Sequence, residues 1–257
     1  NAMKTSQDRI ESFRSRLTEG APIMGTFMKT PSPVVAEVLG LSSLDVVTID
    51  SEHAPFGRSE TDLCLAAYRA ADMPSLVRTA DDSAREIRNA LDSGASGILV
   101  PHVTSAAQAE GVVRASHFGD GGRGFAGSPR AAGYGTLGMA AHLQASGKHT
   151  SVILQIEDLA ALDQVPEIAT VEGVDALFIG RADLAVAMQR APGDAAVIEA
   201  VETVCRQCRD AGTTVGMFTP ELSELPRWRD LGASLFLLKS DHAFLLAGAN
   251  QLSDAIR

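Results

Sequence analysis

Four short stretches of the sequence carry residues able to do chemistry, and each one closes an apolar run. They are Asp50-Ser51-Glu52-His53-Ala54-Pro55, Arg78 with Asp81-Asp82 behind it, Gln155-Ile156-Glu157, and Gly180-Arg181-Ala182-Asp183-Leu184. Two carboxylates such as Glu157 and Asp183 can share one hard cation, with water or substrate oxygens completing an octahedral shell. That donor set suits Mg²⁺ or Mn²⁺. Zinc fits it less well, because no Cys/His set with zinc-ligand spacing is present. An arginine beside a cation stabilises developing negative charge, and a histidine titrating near neutrality moves protons. Taken singly, most of these residues also have plain structural roles. Asp183 can cap the helix that follows it, His53 can be a hydrogen-bonded structural imidazole, and Arg78 can pair with Asp81 or Asp82. Glu157 resists such a reading, since Asp158 is the nearer cap and Glu157 closes a strongly apolar run.

What positions these stretches is a repeating unit of apolar run, turn and amphipathic segment. The runs Ile23–Met28, Leu44–Ile49, Ser75–Arg78, Gly97–Pro101, Ser151–Ile156, Val174–Ile179, Thr214–Phe218 and Ser234–Leu238 read as strands. Several are continuous in Val, Ile and Leu, as parallel strands buried on both faces require. Helical periodicity falls over Pro33–Leu39, Glu60–Ala71, Ala84–Ser93, Ala106–Ser116, Ile198–Ala211, Ser223–Leu231 and Ala243–Ile256. About eight such units in 257 residues predict one α/β domain, a closed (β/α)8 TIM barrel over 3–257. The competing architecture is an open doubly wound sheet. It usually shows a Gly-rich phosphate loop after its first strand, and neither G-x-G-x-x-G nor a Walker A sequence occurs. In a barrel the active site forms past the carboxyl ends of the strands, where all four stretches fall. Neighbouring strands lie about 5 Å apart, so Glu157 and Asp183 on consecutive strands can reach one ion. The Gly-rich stretch Phe118–Gly138 is too long for a plain linker and is expected to be functional or mobile.

Composition narrows the partners. The formal net charge of -10 argues against nucleic acid or an anionic membrane surface, and no apolar window reaches the roughly 18 residues of a membrane span. Asn1-Ala2 reads as an expression remnant ahead of Met3, and a cytoplasmic location is expected. Three cysteines fit a reducing compartment. Cys205 and Cys208 have C-x-x-C spacing, but within a helical pattern they read as one helix face.

In order along the chain, Asp50-Ser51-Glu52-His53-Ala54-Pro55, Leu99-Val100-Pro101, Gln155-Ile156-Glu157 and Phe178-Ile179-Gly180 through Ala182-Asp183-Leu184 resemble the HpcH/HpaI aldolase family. These are class II pyruvate aldolases of the phosphoenolpyruvate/pyruvate superfamily, such as 4-hydroxy-2-oxoheptanedioate and 2-dehydro-3-deoxyglucarate aldolases. The resemblance runs from Gly25-Thr26-Phe27 to Ser240-Asp241. It implies a divalent metal, Mg²⁺ with Mn²⁺ or Co²⁺ as alternatives, and reversible cleavage of a 4-hydroxy-2-oxo acid into pyruvate and an aldehyde. It also implies a homohexamer, a trimer of dimers that exchange a C-terminal helix. By resemblance Glu157 and Asp183 are metal ligands and His53 transfers the proton. Asp50 and Asp92 orient or charge-tune His53, and Arg78 meets the pyruvyl oxygen. Gln155 neighbours the pyruvyl group, the backbone of Gly180 to Asp183, including Ala182, receives its carboxylate, and Arg123-Gly124 face the aldehyde end.

The sequence departs from the family pattern in places. Arg181 stands where proline is frequent, and either binds a substrate carboxylate or points to solvent. His102 stands where an apolar residue is common, and is either structural or part of the aldehyde pocket. Among lysines, only Lys239 closes a strand as a Schiff-base candidate would. The alternatives are a citramalyl- or malyl-CoA-type lyase, which would want more basic residues for the CoA phosphates, and a ligand-binding barrel without turnover.

Overall fold

The eight apolar runs close on themselves. In the computed structural model, which describes residues 8–256, the strands pair in parallel in sequence order, β1 to β8, and β8 returns to β1. They are β1 (Ile23–Met28), β2 (Val46–Asp50), β3 (Ser75–Arg78), β4 (Gly97–Val100), β5 (Ser151–Ile156), β6 (Ala176–Ile179), β7 (Thr214–Phe218) and β8 (Ala233–Ser240). The expected TIM barrel is the observed fold. The expected remnant Asn1-Ala2 lies outside the described residues.

Helix α1 (Asp8–Thr18) precedes the barrel, and the helices that follow its strands are α2 (Pro33–Gly40), α3 (Arg58–Ala70), α4 (Ala84–Asp92), α5 (Ala106–Ser116), α6 (Met139–His149), α7 (Leu159–Leu162), α8 (Val165–Ala169), α9 (Arg181–Ala187), α10 (Ala195–Ala211), α11 (Leu225–Asp230) and α12 (Asp241–Asp254). Side-chain caps start several of them: Ser83 accepts from the Glu86 N–H, Ser105 from Gln108, Asp194 from Ala196 and Ser240 from Ala243. Such caps satisfy amides that the first turn leaves free. No helix among the described residues is long and apolar enough to cross a membrane.

Strand alternation divides the apolar side chains into two cores. One set, including Val47, Ile49, Val77, Ile98, Leu154 and Leu177, faces the helices. The other, including Val46, Leu76, Leu99, Ile153, Phe178 and Leu235, fills the barrel interior. Helix α1 was not anticipated. Its Phe13 and Leu17, both fully buried, join the interior core beside Ile23 and Val46 at the amino-terminal mouth. The Thr214 hydroxyl donates to Leu17 O at 2.7 Å and fixes this plug to β7. Cys205 and Cys208 are buried on α10, and burial pushes both thiols up to about 12, well outside the range of a reactive pair.

Candidate active site

The interior core ends where the strands turn polar. Two residues beyond Val46, Leu76 and Ile153 on the same inward face stand Thr48, Arg78 and Gln155, and one step further on β2 stands Asp50. Asp50 and Arg78 are register partners across β2 and β3, so their side chains meet directly. Arg78 donates from Nε at 3.0 Å to Oδ1 of Asp50 and from Nη2 at 2.8 Å to Oδ2. Its Nη1 lies 3.2 Å from Glu52 Oε2, and its guanidinium stacks 4.6 Å from the Phe27 ring centroid. Lys29, just past β1, places Nζ 3.1 Å from the same Asp50 carboxylate. Burial works to raise the pKa of Asp50, but the hydrogen bond and charge of Arg78, with smaller help from the His53 N–H and Lys29, outweigh it and hold the carboxyl low.

This arrangement decides between the alternatives for Arg78. Arg78 pairs with Asp50 and Glu52, not with Asp81 or Asp82. Asp50 touches His53 only through the His53 backbone N–H, at 3.1 Å. The carboxylate facing the imidazole is Glu52, whose Oε2 lies 3.7 Å from His53 Nε2. Asp50 itself points into the barrel, where Arg78 and Lys29 engage it. Lys29 went unnoticed as well. It is the first residue after an apolar strand, the same signal that singled out the other rim residues.

Across the mouth, Glu157 is almost wholly buried. The Gln155 amide donates to its Oε2, and the His102 backbone N–H donates to Oε1 at 3.0 Å. Burial pushes its pKa up to about 7; the His102 and Gln155 contacts oppose that shift, and the charge of Asp183 adds to it. Asp183 sits exposed in the first turn of α9, one turn past Gly180, and takes no hydrogen bond from the described residues. It is therefore not the cap of that helix. Gly180 is there for closeness: a Cβ on it would lie 2.7 Å from both Cβ and Oε2 of Glu157.

His102 closes β4 in the left-handed region, at φ 56°. Its Nδ1 lies 3.0 Å from Asp158 Oδ2 and 3.5 Å from Glu157 Oε1, while Nε2 lies 3.4 Å from Glu52 Oε1. Burial works to lower its pKa, but the hydrogen bond to Asp158 and the charges of Glu157, Asp158 and Glu52 carry it upward. Asp158 spends its side chain on His102 and makes no capping bond to α7. One ligand atom each from Glu52, His102 and Glu157 lie within 4.8 Å of one another. Gln155 Oε1 is buried without a hydrogen-bond partner. Oxygen-rich donors, a carboxyl that burial destabilises as an anion and an orphaned amide oxygen together fit a divalent cation.

Above these groups opens a cavity of about 700 Å³, lined by Lys29, His53, Arg78, Gln155, Asp183 and Lys239 among others. Gly180 and Ala182 line it too. Arg181 neither binds solvent alone nor stands free for a substrate. It donates to both carboxylate oxygens of Glu224, at 3.1 and 2.9 Å, which ties the start of α9 to the turn after β7. Two expected site residues are elsewhere. Asp92 ends α4 and Arg123 follows α5, and barrel helices run back towards the amino-terminal mouth. There the two form an ion pair with each other, with the Arg123 guanidinium 4.6 Å from the Phe118 ring. Within one chain neither reaches the rim, and the Gly-rich stretch 118–138 belongs to that opposite end.

A closed parallel barrel with carboxylates, imidazoles and an arginine gathered at its carboxyl mouth has the form of a TIM-barrel enzyme site. The chain belongs to the HpcH/HpaI aldolase/citrate lyase family, whose pattern matches residues 24–244. It is 33% identical over 255 residues to a hydroxypyruvate/pyruvate aldolase of Paraburkholderia phytofirmans, covering 95% of this chain and 97% of that one. It is 32% identical to a 2-dehydro-3,6-dideoxy-6-sulfogluconate aldolase of Pseudomonas putida, covering 93% and 94%. A crystal structure of a family member from Burkholderia cenocepacia superposes with a TM-score of 0.90 at 31% identity, covering 96% and 99%.

Proposed function

We propose that this chain is a metal-dependent class II aldolase that reversibly cleaves a 4-hydroxy-2-oxo acid into pyruvate, or a close analogue, and an aldehyde. The observation that carries the reading is the placement of Arg78, Gln155 and Asp183 around one cavity with His53 at its edge, and the buried Glu157 hydrogen-bonded to Gln155. In the cleavage direction the 4-hydroxyl loses its proton and the C3–C4 bond breaks. The bonding pair passes into the pyruvate half as an enolate, and the aldehyde leaves. Protonation at C3 completes pyruvate.

The residues divide that work. His53, half exposed and facing Glu52, is the group free to take the hydroxyl proton. Arg78, rigidly held by Asp50, presents fixed positive charge to the oxygen on which the enolate charge develops. Gln155 offers an unpartnered amide oxygen beside the pyruvyl group, and the chain from Gly180 through Ala182 to Asp183 borders the carboxylate position. Glu157 and Asp183 would hold the divalent ion, whose positive charge polarises the 2-oxo group when bound. Lys29 is engaged by Asp50, which leaves Lys239 as the amine in the cavity without an ion-pair partner among the described residues.

We further propose one domain over 3–257, a cytoplasmic location and a homo-oligomer. Leu245, Leu246 and Leu252 of α12 are exposed, which supports a partner surface on that helix. At the amino-terminal end of the barrel, Arg123 meets a substrate only if that substrate sits on a neighbouring subunit. The test is pyruvate release, followed with lactate dehydrogenase, across 4-hydroxy-2-oxo diacids and sugar acids with Mg²⁺, Mn²⁺ or Co²⁺. Metal-dependent turnover of at least one supports the reading, and no release from any overturns it.

A further inference from the structure

Glu157 presents two different sides. Its Oε2 is taken up by the Gln155 amide and by the close approach of Gly180. Its Oε1 faces His102, which meets it both through its backbone N–H and through its ring. On that side the imidazole is arranged as a ligand would be. Asp158 receives Nδ1 at 3.0 Å, which fixes the ring and leaves Nε2 turned into the site, 3.4 Å from Glu52 Oε1. A carboxylate on the outer ring nitrogen is the usual support for a metal-binding histidine. Two donors that each bind one ion at about 2.1 Å stand roughly 3–4 Å apart, so the Nε2 to Oε1 spacing suits a shared ion. The Glu52 side chain is only 9% exposed; its Oε2 is paired with Arg78 at 3.2 Å, which leaves Oε1 as the oxygen turned to His102. The left-handed backbone at residue 102 is held by the same Glu157 it serves.

We propose that His102 supplies a nitrogen donor, with Glu52 beside it, to the ion at Glu157, and that the site therefore favours Mn²⁺, Co²⁺ or Zn²⁺ over Mg²⁺. The inference rests on the metal-dependent reading above and adds the class of metal to it. Imidazole ligation shifts preference towards later transition metals, whereas an all-oxygen shell suits Mg²⁺. The set comes from the ends of three different strands, so no Cys/His spacing in the sequence could have announced it.

The experiment uses the full chain, stripped of metal and loaded with one equivalent of Mn²⁺, and reads nitrogen-14 modulation by pulsed electron paramagnetic resonance. His102→Gln and His102→Gly are compared with the parent; glycine accepts the left-handed backbone, and melting curves establish that both variants fold. The expected result is imidazole modulation in the parent that disappears in both variants. Co²⁺ affinity should fall about 10- to 100-fold with that loss, while Mg²⁺ affinity falls much less. Stoichiometric Mn²⁺ without nitrogen modulation, or modulation that survives in both variants, overturns the role of His102 and leaves the metal reading standing. An equal loss of Mg²⁺ and Co²⁺ affinity overturns the preference. Failure of the parent to bind Mn²⁺, Co²⁺ or Mg²⁺ overturns the metal reading itself.

Discussion

Replacing Arg78 by Met tests how the site is held and how it works in one substitution. Arg78 is 6% exposed and bridges Asp50 with two hydrogen bonds, so its loss strands a fully buried carboxylate. Breaking a buried pair from one side costs about 3–5 kcal/mol. Lys29 stays 3.1 Å from Asp50 and keeps part of the compensation, so the lower end applies. At about 2–4 °C per kcal/mol for a domain of this size, Tm should fall by roughly 6–12 °C near neutral pH. The pH dependence follows from the carboxyl group. In the parent, Arg78 is the main influence holding Asp50 below its ordinary pKa of 3.8 against burial. That contribution to stability is present above the ordinary value and lost as pH falls through the folded one. Without Arg78, burial prevails and the group takes up a proton more readily, so the gap between variant and parent should narrow as pH drops towards 4. Thermal melts at several pH values measure this. Pyruvate release should fall on the order of 100- to 1000-fold, the usual cost of losing a donor aimed at developing charge. Adding Asp50→Asn should restore much of the stability and none of the activity. A single variant that melts within about 2 °C of the parent and retains a third of its activity would refute this account of Arg78.

Three further outcomes follow from the same geometry. Glu52→Gln keeps shape but removes the carboxylate facing His53 and Arg78, and should lower kcat about tenfold or more; steady-state kinetics with the fold checked by circular dichroism decide it. Because burial lifts Glu157 to about 7, its proton adds stability that is fully present below the ordinary 4.5 and is lost as pH rises through about 7. Metal-free Glu157→Gln should therefore melt higher than the parent at pH 8, and calorimetry of the parent should show a proton released on metal binding below pH 7. Gly180→Ala drives a methyl group to 2.7 Å from Glu157, and titration should show metal affinity lowered at least tenfold.

The fold was legible because parallel strands buried on both faces print as continuous apolar runs, and the rim because chemistry-bearing residues followed four of those runs. Helix α1 was missed because its apolar residues, Phe13 and Leu17, are few and lie in a charged segment. Glu52 was passed over in favour of Asp50: both lie near His53 in sequence, and only the inward turn of Asp50 onto Arg78 separates their roles. For Asp92 and Arg123 the warning was available. Asp92 ends one predicted helix and Arg123 follows another, and the end of a barrel helix lies opposite the catalytic mouth. The His102 contacts were beyond reach of spacing, since they depend on a left-handed residue after β4 meeting acids from β2 and β5. Arg181 likewise found Glu224, a partner 43 positions away.

The central claim is that this barrel cleaves a 2-oxo acid with the aid of a divalent ion and not through a lysine adduct. Pyruvate release by the chain stripped with EDTA and then titrated with Mn²⁺, with borohydride trapping in parallel, measures it most directly. The account predicts no turnover when stripped, recovery at one ion per site, and no adduct. Undiminished turnover in EDTA, together with a trapped pyruvyl group on Lys239, would contradict it.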